Sequence, residues 1–152
     1  MDRIDKKILA LLQEDASIPV GELAKKVNLS TTPCWRRIRK LEKNGVIEKR
    51  VALLNGAKIG LGMSVFVHLK TSEHNAAWLA DFAAAVSAFP EVVEFYRMSG
   101  EWDYLLRVVV EDVAAYDRFY KKLIATASLT DVTSSFAMEQ IKYTTSLPLI
   151  AD

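Results

Sequence analysis

Five of the eight residues from position 36 to position 43 are basic: Arg36, Arg37, Arg39, Lys40 and Lys43, with Glu42 the single acid among them. Cations at this density on a regular scaffold pair with phosphate oxygens, and where a guanidinium fork reaches far enough they pair with guanine edges in a DNA major groove. Ser30, Thr31 and Thr32 just before the run, and Trp35 at its start, add hydroxyls and a flat ring that can lie near phosphates or base edges. Lys49 and Arg50 form a second, smaller basic pair, readable as phosphate contacts or as solvated strand residues. The plain alternative for the whole run is a solvated charged face, and the flanking elements decide between the two.

Those flanking elements begin with the run's own helix. Ser30 or Thr32 can serve as N-cap, Pro33 falls in the first turn where its missing N–H costs nothing, and Gly45 supplies a left-handed stop. At helical spacing Cys34, Ile38 and Leu41 share one side, while Arg36, Arg39, Lys40 and Lys43, with Thr32, share the other. Upstream, Asp2 can cap a helix with Ile4, Ile8, Leu11 and Leu12 on one face, and Asp5 lies in its first turn, where the helix dipole favours an anion. After a break at Ala16 to Pro19, Val20, Leu23, Ala24 and Val27 mark a second helix ending at Asn28, a residue that tolerates left-handed backbone. Three short one-sided helices can share a core, which places the basic one in the recognition position of a helix-turn-helix. Val46 to Leu54 is β-branched and partly alternating and reads as a strand that forms a small wing before leaving the domain.

Bulk properties agree with a two-part chain. The 152 residues carry a net charge of only +1, but residues 1–55 hold 12 Lys/Arg against 7 Asp/Glu and residues 56–152 hold 8 against 12. One part therefore suits a polyanion and the other does not. Cys34 is the single cysteine, so no internal disulfide can form and a reducing compartment is expected. The charged start, Met1-Asp2-Arg3-Ile4-Asp5, is followed by no long apolar run, so neither a signal peptide nor a membrane span is expected and the cytoplasm is the expected location.

Gly56, Gly60 and Gly62 mark a boundary. Beyond it Met63 to Lys70 alternates as a strand, with Met63, Val65, Val67 and Leu69 on one face. Asn75 to Ala88 is a helix with Leu79, Phe82, Ala83 and Val86 inward, and Val92 to Ser99 and Tyr104 to Val110 are strands joined by a tight connection at Gly100 to Asp103. A helix from Asp112 to about Ala125, with Tyr116, Phe119, Tyr120 and Leu123 inward, and a strand from Val132 to Lys142 complete the pattern. The order β-α-β-β-α-β is that of a ferredoxin-like sandwich, with both helices on one face of an antiparallel sheet. Tyr104-Leu105-Leu106 and Val108-Val109-Val110 leave the other sheet face too apolar for water, so a second copy of the chain is expected to cover it. The expected class is α+β, with a winged helix-turn-helix in residues 1–48, a strand and linker in 49–61 and the sandwich in 62–152. A two-fold dimer would present two recognition helices to the half-sites of a palindromic duplex, about 34 Å or a multiple apart.

The chain resembles the Lrp/AsnC family of leucine- and asparagine-responsive regulators over almost its whole length. The resemblance rests on Asp2-Arg3-Ile4-Asp5 with Ile8-Leu9, Glu22-Leu23-Ala24, and Leu29-Ser30 with Pro33-Cys34, Arg36-Arg37 and Leu41-Glu42. It continues through Gly45-Val46-Ile47, Ala52-Leu53-Leu54-Asn55, Gly100-Glu101-Trp102-Asp103-Tyr104-Leu105-Leu106, and Ile141-Lys142 with Leu147-Pro148-Leu149. It implies an effector-sensing second domain, assembly often as a ring of four dimers, and an amino-acid effector bound near the hairpin loop. Carried onto this sequence, the effector residues are Gly100, Glu101, Trp102, Asp103 and Tyr104, with Thr133, Ser134 and Ser135 as neighbours. Asp103 can pair with an α-ammonium, while N–H groups near Gly100 and the hydroxyls can take an α-carboxylate. No metal or other cofactor is implied. Pro19, Asn28, Trp35, the Lys49-Arg50 pair and Trp102 depart from what is usual in the family; the first two bear on local stability, whereas Trp35 and Trp102 keep operator preference and effector size, respectively, from transferring by analogy.

Two other readings compete with an effector-responsive, sequence-specific DNA-binding regulator of transcription. One is an architectural DNA-binding protein without effector. The other is an enzyme, since some tetrapyrrole decarboxylases resemble this family in both domains; His68 and His74, the two histidines, lie in a strand and in the following loop without ligand spacing to build such a site, so no enzyme is expected.

Overall fold

In the computed structural model, which describes residues 1–149, the chain divides into two units: Met1–Leu53 together with the tail that begins at Ile141, and Leu54–Gln140. The first unit is built on α1 (Arg3–Glu14), α2 (Val20–Lys26) and α3 (Thr31–Lys43). Asp2 closes the start of α1 with a reciprocal capping box: the Asp5 amide donates to Asp2 Oδ1 at 2.8 Å and the Asp2 amide to Asp5 Oδ2 at 3.0 Å. Proline has no side-chain oxygen, so α2 starts from Pro19 without a side-chain cap, its carbonyl taking the Glu22 and Leu23 amides instead. Asn28 (φ 57°) makes the left-handed step between α2 and α3. Ile8, Leu23 and Cys34 are fully enclosed in the shared core, with Leu9, Ala24, Val27, Ile38 and Leu41 around them. Such burial stabilises by about 1.5–3 kcal/mol for each large aliphatic side chain, which is what holds helices this short in place.

At the end of α3 the Gly45 (φ 70°) reversal lets the Val46 amide donate to the Leu41 carbonyl at 3.0 Å. The strand expected over Val46 to Leu54 does not form. From Glu48 onward that stretch forms no regular element, and the described residues of this unit contain no second strand to complete a ladder. The tail, expected to belong with the second domain, packs in the first unit: the Leu147 amide donates to Gln13 Oε1 at 2.6 Å, Gln13 Nε2 donates to the Leu147 carbonyl at 3.2 Å, and Leu149 packs against the core.

The second unit holds β1 (Met63–Lys70), α4 (Ala76–Ser87), β2 (Val92–Arg97), β3 (Tyr104–Val110), α5 (Val113–Thr126) and β4 (Asp131–Phe136). The four strands form one antiparallel sheet in the order β2-β3-β1-β4, the ferredoxin-like arrangement. Asn75 and Asp112 cap α4 and α5 by accepting from Trp78 N (2.8 Å) and Ala115 N (2.7 Å). Val65, Val67, Leu69, Leu106 and Val108 point to the helices and meet Phe82, Val86, Phe119 and Leu123 in a closed core. β4 stops at Phe136 instead of reaching Lys142 because its partner runs out: after the Ala137 amide bonds the Ser64 carbonyl, β1 has one residue left. The β2–β3 connection spans positions 98–103 and is a six-residue loop, longer than the tight turn expected.

Candidate functional site

In α3 the polarity is that expected of a helix laid on a small core. Cys34, Ile38 and Leu41 are buried, while Thr31, Thr32, Trp35, Arg36, Arg39, Lys40 and Lys43 are exposed. Burial raises the Cys34 thiol above its ordinary range, so it stays a neutral core group. Ser30 is the N-cap by backbone conformation, yet its side chain makes no capping bond. Arg36, Lys40 and Lys43, with Lys49 after the helix, are exposed and have no carboxylate partner among the described residues.

Arg37 is different. Its Nη1 lies 2.6 Å from Asp2 Oδ2 and 2.8 Å from Asp5 Oδ1, so one nitrogen of the guanidinium bridges two carboxylates at the start of α1. These bonds raise the guanidinium further above its ordinary range, the Asp5 bond first, and the Asp5 amide with the Arg37 fork holds the Asp2 carboxyl below its ordinary range. The structure therefore places Arg37 as the clamp that fixes α3 on α1, not among the free cations. Arg39 sits 5.6 Å over the Trp35 ring and bonds Glu42 at 3.1 Å; Glu42 in turn takes Arg50 at 3.2 Å, and Arg50 also donates to the Ala16 carbonyl at 3.3 Å. Glu42, read in the sequence only as a lone acid, is thus the joint between two cations. Its spacing to Arg39, one turn away, was the visible signal.

In the second unit the structure sorts the expected effector residues. Gly100 (φ 116°), Glu101 and Trp102 lie in the open loop. Trp102 turns back over β1, with Lys70 Nζ 4.6 Å from its ring centroid and the His68 ring 5.6 Å away, and Lys70 also reaches Glu101 at 3.4 Å. Thr133 and Ser135 pair with His68 and Phe66 across β1 and β4, so they face the helix-free side. Three residues go elsewhere. Asp103 is anchored by its neighbours, Oδ2 accepting from the Thr71 amide at 2.9 Å and its own amide donating to the Leu69 carbonyl at 3.0 Å. Tyr104 is 5 % exposed in the helix-side core, its ring near Phe82, Phe95 and Trp78. Ser134 also faces the helices, where its hydroxyl meets the Tyr116 hydroxyl. Strand alternation accounts for the sorting of Thr133 to Ser135: neighbours point to opposite faces. That His68 and Lys70 share the helix-free face with Thr133 and Ser135 was legible from the same alternation, but the fold-back of Trp102 that brings the loop to them was not.

Residues 1–48 match the family model of a winged helix-turn-helix DNA-binding domain, and residues 64–147 match that of the Lrp/AsnC ligand binding domain. The chain is 54% identical over 150 residues to the DNA-binding transcriptional activator DecR of Escherichia coli (strain K12), a match covering 98% of this chain and 99% of that protein. An AsnC family transcriptional regulator from Agrobacterium tumefaciens superposes with a TM-score of 0.95 at 63% identity, over 97% of both chains. A transcriptional regulator from Neisseria meningitidis, solved as its L-Met complex, superposes with a TM-score of 0.92 at 37% identity, over 97% of this chain and 96% of that one. A basic helix-turn-helix followed by a ferredoxin-like ligand domain, matched end to end in sequence and in fold, makes this chain a member of the Lrp/AsnC family of DNA-binding transcription regulators.

Proposed function

We propose that two copies of the chain dock α3 into successive major grooves of a palindromic operator, and that a small amino acid bound at the 98–103 loop alters that docking or the assembly behind it. The carrying observation is the outer side of α3, where Arg36, Arg39, Lys40 and Lys43 are exposed while the apolar seam is buried. Ser30, Thr31, Thr32 and Trp35 lie at the leading end of α3, and Lys49 and Arg50 are exposed beyond its trailing end, Arg50 bonded to Glu42 and the Ala16 carbonyl. Arg37 is left out of the DNA contacts because Asp2 and Asp5 hold it.

For the effector, support comes from the ligand-binding family match and from the L-Met complex of the Neisseria meningitidis relative. Glu101, 76 % exposed, takes over from Asp103 as the carboxylate for an α-ammonium, and Lys70 with the Gly100 amide supplies the counter-charge for an α-carboxylate. Thr133 and Ser135 complete the polar side and Trp102 bounds the space for the side chain. The sheet face around Phe66, Leu105 and Tyr96 is where a second copy would pack. We read the chain as a regulator working inside the cell and without catalysis, on the strength of its family. A thermal-shift screen of the twenty amino acids tests the effector reading. One or a few should raise the melting temperature by mass action, and Glu101→Gln should abolish the shift. Complete absence of binding would favour an architectural role instead.

A further inference from the structure

We infer that Trp35 is a sequence-reading residue, and that what it reads is the 5-methyl group of thymine. This deepens the DNA-docking reading and rests on it. Trp35 is 48 % exposed on a helix whose apolar seam is already supplied by Cys34, Ile38 and Leu41, so its ring is not needed to close the core. It lies in the leading half of α3, beside the hydroxyls of Thr31 and Thr32, the end of a recognition helix that approaches base edges. The ring is also held. Arg39 rests over it at 5.6 Å, Glu42 fixes Arg39 at 3.1 Å, and Arg50 fixes Glu42 at 3.2 Å while bonding the Ala16 carbonyl. A large flat apolar group set in place before DNA arrives loses little side-chain entropy on binding. In the major groove the apolar feature of a base pair is the thymine methyl, since the remaining edge groups are hydrogen-bond donors and acceptors. Tryptophan's one polar group is a single donor at the ring edge, and the ring face is only a weak acceptor for base amino groups, so its main contact in the groove is apolar. Arg39 is correspondingly a positioning residue: its Nη1 is bonded to Glu42 and its guanidinium carbon lies over the ring.

The test uses the full-length protein and a duplex enriched by that protein from a random-sequence library, resynthesised with deoxyuridine in place of thymidine at each position in turn. At one or two thymines in each half-site the wild-type protein should lose about fourfold in affinity per methyl removed, which corresponds to about 0.8 kcal/mol for one buried methyl or methylene group. Trp35→Ala should bind the thymine duplex more weakly and no longer distinguish thymine from uracil there, whereas Arg36→Ala should bind more weakly yet keep the distinction. If Trp35→Ala binds too weakly at moderate salt, titration at low salt, where phosphate contacts dominate, restores a measurable constant. The inference is overturned if Trp35→Ala discriminates as well as wild type, or if no thymine methyl in the selected duplex matters. Failure of the library to enrich at all would instead strike at the DNA-docking reading itself.

Discussion

Arg37 and Arg36 are neighbours of the same type, and the structure gives them different work because one faces α1 and the other faces outward. The two Asp carboxylates that hold Arg37 also form the capping box of α1, so a single cluster fixes a helix start and a helix–helix contact. Arg37→Ala should therefore lower the melting temperature by about 2–4 °C, the scale of a partly exposed ion-pair network in a protein of this size, and leave the salt dependence of DNA binding unchanged. The cluster also sets an acid limit. The Asp2 carboxyl is lowered from 3.8, chiefly by the Asp5 amide and then by Arg37, so its contribution is fully present above that value and is lost as the pH falls through the lowered one. Thermal melts between pH 5 and pH 2.5 should show wild type losing its advantage over Arg37→Ala at the acid end.

At the scale of elements, the caps make separable predictions. Asn75→Ala and Asp112→Ala remove oxygens that accept from α4 and α5 and should each cost about 1 kcal/mol in denaturant unfolding. Ser30→Ala removes a hydroxyl that makes no capping bond, so it should be nearly neutral for stability while weakening DNA binding. All five α-helices of the described residues were legible in the sequence, with ends within one or two residues, because their apolar stripes and caps are local signals. Strand extents were harder to read, since a strand lasts only as long as its partner: β4 stops where β1 ends, and Val46 to Leu54 stays unpaired for want of a second strand. The basic side of α3 was visible in the sequence, but the commitments of Arg37, Asp103 and Tyr104 were not. Each depends on a residue distant in the chain, such as Asp2, Thr71 or Phe82.

For the whole molecule, a net charge of +1 conceals a division of labour. Residues 1–55 carry 12 Lys/Arg against 7 Asp/Glu and residues 56–152 carry 8 against 12, so attraction to DNA is confined to the part that bears α3. The salt dependence of DNA affinity reads that attraction directly, because each phosphate neutralised releases condensed counterions. The deciding measurement is the slope of log affinity against log salt concentration for wild type and for the double variant Arg36→Ala with Lys40→Ala. The slope should fall in magnitude by about 1 for each phosphate-contacting cation removed. An unchanged slope and affinity in the folded double variant would contradict α3 as the DNA-contacting helix.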